Sequence, residues 1–233
     1  MTPLRAGLPP LPVRMRELPV DQRGYPVPWF VATIDGVPDF RVIRPSGVAI
    51  AIKRNTCWLC GQPLGKFLSF AIGPMCSIDR ITSEPPSHRD CVEFAVKACP
   101  FLTRPGMARS PRQMPDGSVQ PAGIHIDRNP GVTALWTTRN FKRVRVDRVG
   151  AHEGFLIQLG PPESVTWWRE GRLATREEVQ ASIDSGFPAL REAALKDGPD
   201  ALPELMKLVG RAQDLLPKAV ENNVALPELQ NRT

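Results

Sequence analysis

The feature that most restricts this chain is the placement of its cysteines. All five, Cys57, Cys60, Cys76, Cys91 and Cys99, fall within 43 residues of a 233-residue sequence, and none occurs elsewhere. An odd number leaves one thiol over from any disulfide framework, and tight clustering beside a histidine points to a metal instead. Cys57-Trp58-Leu59-Cys60-Gly61 has the form of a zinc knuckle. The two-residue gap lets both thiolates face one ion, and the glycine permits the sharp backbone turn that follows. A redox Cys-x-x-Cys opens a helix, whereas Gly61-Gln62-Pro63 follows here, which disfavours a thioredoxin-like reading.

The second half of the site is Ser87-His88-Arg89-Asp90-Cys91, at the start of a helical run that continues to Ala98. Ser87 is expected to cap that helix, and His88 and Cys91, three residues apart on its first turn, then point to the same side. Cys57, Cys60, His88 and Cys91 are therefore expected to hold one tetrahedral zinc. Four protein ligands close the coordination sphere, so the zinc is structural in this reading and no catalytic residue is assigned. Cys76 is the rival ligand. It is expected on the return strand of a hairpin formed by Phe67 to Ile72 and Met75 to Ile81, from where it would displace His88. Cys99 reads as a small core residue. Knuckle, hairpin and ligand-bearing helix resemble a treble-clef zinc finger in order and spacing.

Four short segments carry a wider resemblance: Cys57 to Gly61, Gly73-Pro74-Met75-Cys76, Glu84-Pro85-Pro86-Ser87-His88 and Cys99-Pro100-Phe101-Leu102. Together with Gly24 to Phe30 and Trp167 to Thr175, they resemble an uncharacterised bacterial, phage-associated family of zinc-finger-like proteins. The resemblance implies a bacterial or phage-borne cytoplasmic protein and brings no activity with it.

Charge is unevenly distributed. The net charge is +6, yet residues 1–149 carry 21 Lys and Arg against 11 Asp and Glu, while residues 150–233 carry 9 against 13. An anionic partner, nucleic acid above all, would therefore meet the front of the molecule. Arg104, Arg109 and Arg112, in a proline-rich stretch, and Lys142, Arg143 and Arg145, on a strand, are the candidate phosphate contacts. On a regular strand Arg143 and Arg145 share a face that Lys142 does not. The alternative is a solvated sheet face that guards an edge. Of the five tryptophans, Trp58 reads as a packing plug or an interface anchor, and Trp167 and Trp168 must face opposite sides of their strand.

No apolar run approaches the roughly 18 residues of a membrane span, the longest being Val48 to Ile52. Residues 1–26 are basic and proline-rich without the hydrophobic stretch of a secretory signal, so a cytoplasmic location is expected.

The expected fold class is α+β. Residues 1–26 form an extended arm, and residues 27–103 a β-hairpin turning at Asp35-Gly36 followed by the zinc module. Val48 to Arg54 reads as a short helix capped by Ser46, with a strand as the alternative. Residues 104–130 form a basic, proline-rich loop. Residues 131–216 form an antiparallel meander of four strands with C-terminal helices, and 217–233 a frayed tail. A capping box at Thr175 to Glu178 opens a helix expected to stop near Gly186 and Pro188, with another short helix to Lys196 and a longer one over Asp200 to Leu216.

The function expected from these features is a zinc-stabilised binding protein that contacts nucleic acid or a nucleic-acid-processing complex. One alternative is a phage-borne protein-interaction or inhibitor factor with a host or phage protein as partner. Another is a metal-dependent nuclease or other hydrolase, for which His88, His125 and His152 are the only histidines. A His-Asn-His-type nuclease would need a general-base histidine on the hairpin and metal-binding side chains on the helix, and neither is evident.

Overall fold

The structure, a computed structural model, describes residues 2–108, 110, 114, 129–149 and 152–218; the side chains of 145–149 and 152–155 lie outside that description. It is α+β with antiparallel sheets. The first strands, β1 (Val31–Ile34) and β2 (Val37–Ile43), form the expected hairpin. Asp35 and Gly36 both take positive φ, 49° and 80°, as a turn matched to the strand twist requires. Pro38 is tolerated because a two-stranded ribbon is all edge. The helix α1 (Gly47–Lys53) follows, with Lys53 in its last turn. Ser46 does not cap it; its backbone is left-handed, with φ 56°.

The arm is packed against this front. Met15, in a 3-10 turn at Val13–Met15, is 2% exposed, and Arg14 pairs with Asp90 at 3.0 Å. The Arg23 guanidinium lies over both the Tyr25 and Phe40 rings, 5.6 and 5.2 Å from their centroids, joining arm to hairpin.

Two expectations about the middle of the chain are corrected. Phe67 to Ile72 and Met75 to Ile81 do not pair with each other. The first contains β3 (Leu68–Ile72), the second α2 (Pro74–Asp79) and the two-residue β4 (Ile81–Thr82). Pro74 at the first helical position of the six-residue run Pro74–Asp79, long enough for about one turn and a half, makes a helix as good a local solution as a strand. Cys76 therefore sits on a helix.

The expected meander is also corrected. After α3 (Arg89–Ala98) and the short α4 (Pro100–Thr103), the strands are β5 (Thr133–Thr138), β6 (Phe141–Val149), β7 (His152–Leu159), β8 (Pro162–Arg169) and β9 (Arg172–Leu173). Their positions match the sequence pattern, and β6 pairs with β7 as a meander requires, but the other neighbours differ. β5 lies between β3 and β8 in the order β3-β5-β8-β9, and β4 pairs with β7 in a second sheet of order β4-β7-β6. Each of these two sheets thus takes strands from both sides of residues 104–130.

Strand alternation explains the layers. Phe70, Ile72, Ala134, Trp136 and Trp167 belong to the main core with the helical side chains below, whereas Leu135, Ala71 and Trp168 meet Val92 and Val96 of α3 on the opposite face. The two adjacent tryptophans do face opposite sides. The main core is closed by α5 (Arg176–Lys196) and α6 (Ala201–Gln213). The capping box at Thr175 and Glu178 forms in both directions, at 3.3 and 2.9 Å. Contrary to expectation, α5 runs straight through Gly186 and Pro188. Its apolar stripe of Val179, Ile183, Phe187, Leu190 and Ala194 keeps helical phase across the proline, so packing outweighs the lost backbone donor.

Candidate metal centre

Cys57 and Cys60 are positioned by a tight turn that their own backbone closes. Gly61 N–H donates to the Cys57 carbonyl at 2.9 Å and Cys57 N–H to the Gln62 carbonyl at 2.8 Å. The turn needs φ of +78° at Gly61, and a Cβ there would lie 2.5 Å from Trp29 Cδ1. Trp58, between the cysteines, points inward. It is 3% exposed, stacked on Phe30 at 4.8 Å and edge-on to Trp29 at 6.2 Å, so it acts as the packing plug rather than an anchor for a partner.

His88 and Cys91 come from the start of α3. Ser87 is not the cap; its backbone exchanges hydrogen bonds with Ser69 of β3 at 2.9 and 2.7 Å, which leaves His88 at the N-cap position. Trp58 N–H also donates to the Pro86 carbonyl at 3.0 Å. The strand, the knuckle and the helix start are thereby locked to one another through main-chain bonds.

These four residues bring their ligand atoms within 4.8 Å of one another. His88 Nδ1 lies 3.3 Å from Cys60 Sγ and 4.0 Å from Cys91 Sγ. Donors in a tetrahedral zinc site, with bonds near 2.3 Å to sulfur and 2.0–2.1 Å to nitrogen, stand about 3.5–3.8 Å apart, so the residues fit the ion with small adjustments. The other ring nitrogen, Nε2, is 3.0 Å from the Pro63 carbonyl. A carbonyl can only accept, so Nε2 carries the proton and Nδ1 offers its lone pair to the sulfurs' side. Cys60 and His88 amides each donate to Cys57 Sγ at 3.4 Å.

The thiols need a cation to ionise together. Hydrogen bonds from the Cys60 and Cys91 thiols hold Cys57 well below the usual thiol range. That bonding to Cys57 pushes Cys60 up to about 11, and Cys91, bonded to both Cys57 and Cys60, is pushed up as well. Three clustered thiolates repel, and a divalent metal removes the penalty by neutralising them. Cys57 and Cys91 are fully buried and Cys60 is 7% exposed, which suits a structural ion.

Compared with protein-family models, with curated proteins and with solved structures, the chain matches none. The site itself carries the functional argument.

Cys76 does not join the cluster among the described residues. Burial, with Asp79 and Glu84 nearby, pushes its thiol up to about 12. Cys99 is likewise raised by burial. Of the candidate phosphate contacts, Arg104, Lys142 and Arg143 are exposed. Arg109 and Arg112 lie outside the described residues, as does the side chain of Arg145, although its backbone belongs to β6. Arg104 is not brought together with the strand residues. Its turn is tied through Met107 to Asn129, ahead of β5, whereas Lys142 and Arg143 lie in β6, which follows the other end of that strand and belongs to a different sheet. His125 lies outside the described residues, and of His152 only the backbone, in β7, is described. Among the described residues no helix is long and apolar enough to cross a membrane.

Sequence reasoning found all four clustered residues and missed what supports them. The Pro63 carbonyl behind His88 and the Arg14–Asp90 pair beside the first turn of α3 have no signature in residue type or spacing. Both depend on how distant segments meet.

Proposed function

We propose that this chain is a zinc-stabilised binding protein, related to the treble-clef fingers in drawing ligands from a knuckle and a helix start, that contacts nucleic acid or a nucleic-acid-processing complex. The observation that carries the zinc part is the convergence of Cys57, Cys60, His88 and Cys91 ligand atoms within 4.8 Å in a buried setting. Zinc held by four side chains has no open position for a water or substrate, so its contribution is to folding. The nucleic-acid part is supported by the basic excess of residues 1–149 and by the exposure of Arg104, Lys142 and Arg143.

Two measurements test the two parts separately. Elemental mass spectrometry of purified protein is expected to find one zinc per chain, lost in Cys57→Ser and His88→Ala and kept in Cys76→Ser. Zinc kept by His88→Ala and lost by Cys76→Ser would refute the ligand set. Retention on a polyanion column is expected to fall steeply with salt, as counterion release requires. Salt-insensitive retention would point to a protein partner instead.

A further inference from the structure

The outer strands of the two larger sheets are β3, β9, β4 and β6, and three of them offer a partner little. β4 and β9 are two residues long, and the outer edge of β3 is engaged where Ser69 and Ser87 exchange main-chain bonds. β6 is different. It runs for nine residues and, among the described residues, has β7 on one side and no strand on the other. Neighbouring hydrogen bonds show which groups that free edge carries. Gly160 N–H donates to the Asn140 carbonyl at 3.0 Å, so the Asn140 main chain faces β7. Leu159 N–H donates to the Arg80 carbonyl at 2.8 Å, so Leu159 faces away from Phe141, its partner in β6. Successive residues alternate, which turns the main chain of Lys142 and Val144 toward β7 and directs the N–H and C=O of Phe141, Arg143 and Arg145 outward. Neither a proline nor a register shift interrupts Phe141 to Val146. The side chains select the kind of strand. Lys142 and Arg143 are exposed, lie on opposite faces of the sheet, and pair with no acid among the described residues. An added strand would therefore meet a cation on each of its faces, with Val144, 36% exposed, next along on the Lys142 face. A second copy of β6 would set cation against cation, whereas acidic residues at neighbouring positions beside an apolar one complement this edge.

We propose that the outer edge of β6 accepts an extended acidic segment of a protein partner as an added strand, with the main chain of Arg143 bonding it and Lys142 and Arg143 meeting its carboxylates. This names a docking edge for the complex-binding half of the function proposed above and rests on that half. Charge brings the segment to the edge, and the main-chain ladder fixes its register.

The test is fluorescence polarisation of zinc-loaded full-length protein, at low salt, with a labelled peptide of about nine residues built from glutamate and valine. Wild type is expected to bind it, and to bind the same peptide N-methylated at two adjacent central residues about ten-fold more weakly, because methylation removes main-chain donors and leaves the charge. Arg143→Gln should weaken binding about two- to five-fold. Arg143→Pro should weaken it about ten-fold beyond that, since the N–H it removes faces away from β7 and the β6–β7 ladder stays whole. Equal zinc content and urea midpoints for the two variants separate this result from misfolding, and the methylated peptide probes the same bonds on unaltered protein. Equal affinity for the plain and methylated peptides would overturn the added strand and leave a merely charged surface. Dimers in sedimentation that Arg143→Pro abolishes would refute the acidic partner in favour of a second copy. A peptide that does not bind, while polyanion retention still falls steeply with salt, sinks this site and leaves the nucleic-acid reading standing; loss of both removes the binding function altogether.

Discussion

Gly61→Ala, compared with Gly36→Ala, isolates what the knuckle glycine does. The two glycines share a backbone conformation, with φ of +78° and +80°. A side chain in that region costs about 1–2 kcal/mol for strain alone. Around Gly36 there is nothing within 4 Å of an added Cβ, so its substitution should cost only that. At Gly61 the Cβ would stand 2.5 Å from Trp29 Cδ1 and 2.8 Å from Cγ. Those are the inner atoms of the ring, which cannot swing away cheaply: Trp29 is packed edge-on to Trp58, and Arg44 lies 4.7 Å over its centroid while donating to its carbonyl. Overpacking of this kind adds about 1–3 kcal/mol, giving about 2–5 kcal/mol in total. Urea unfolding at fixed free zinc, read as a shift of midpoint at constant m, measures both variants. Pairing Gly61→Ala with Trp29→Ala should remove the excess, since the cavity accepts the new methyl. Equal losses for Gly61→Ala and Gly36→Ala would refute the steric account and leave only backbone strain.

Three further outcomes follow from the packing. Exhaustive chelation should lower the thermal midpoint of wild type strongly and that of a zinc-free Cys57→Ser variant hardly at all, as read by circular dichroism with and without chelator. Burial raises the Asp79 carboxyl to about 6 from 3.8, so its effect on stability is favourable below pH 4 and is lost as pH rises through 6. Asp79→Asn, which keeps an oxygen for the Ile81 N–H, should therefore be more stable than wild type at pH 7 by at most about 3 kcal/mol, with the gain gone at pH 4; a pH-independent difference in urea midpoint would contradict this. Pro188→Ala should stabilise α5 by about 1–3 kcal/mol by restoring a donor inside a continuous helix, whereas two helices meeting at Pro188 would gain nothing in a thermal melt.

Local chemistry was readable from the residues alone. Cys57-x-x-Cys60 and His88-x-x-Cys91 each put two donors on one side of a single turn, Thr175 and Glu178 cap each other three residues apart, and Asp35-Gly36 supplies the two positive φ angles of a hairpin. In each case the interacting atoms lie within one turn of chain, so spacing alone dictates the geometry. Only the tertiary structure decided which strands pair. β3 joins β5 across 60-odd residues and β4 joins β7, because a strand's period of two specifies which face is buried and says nothing about its neighbour. The same limit explains Pro74–Asp79, too short for its period to separate helix from strand, and α5, where five buried or half-buried apolar side chains hold helical phase against a proline that by itself signals a stop. The metal site spans both regimes: its ligand pairs were written locally, and their meeting depended on the Ser69–Ser87 and Trp58–Pro86 main-chain bonds that bring two segments some 30 residues apart to one point.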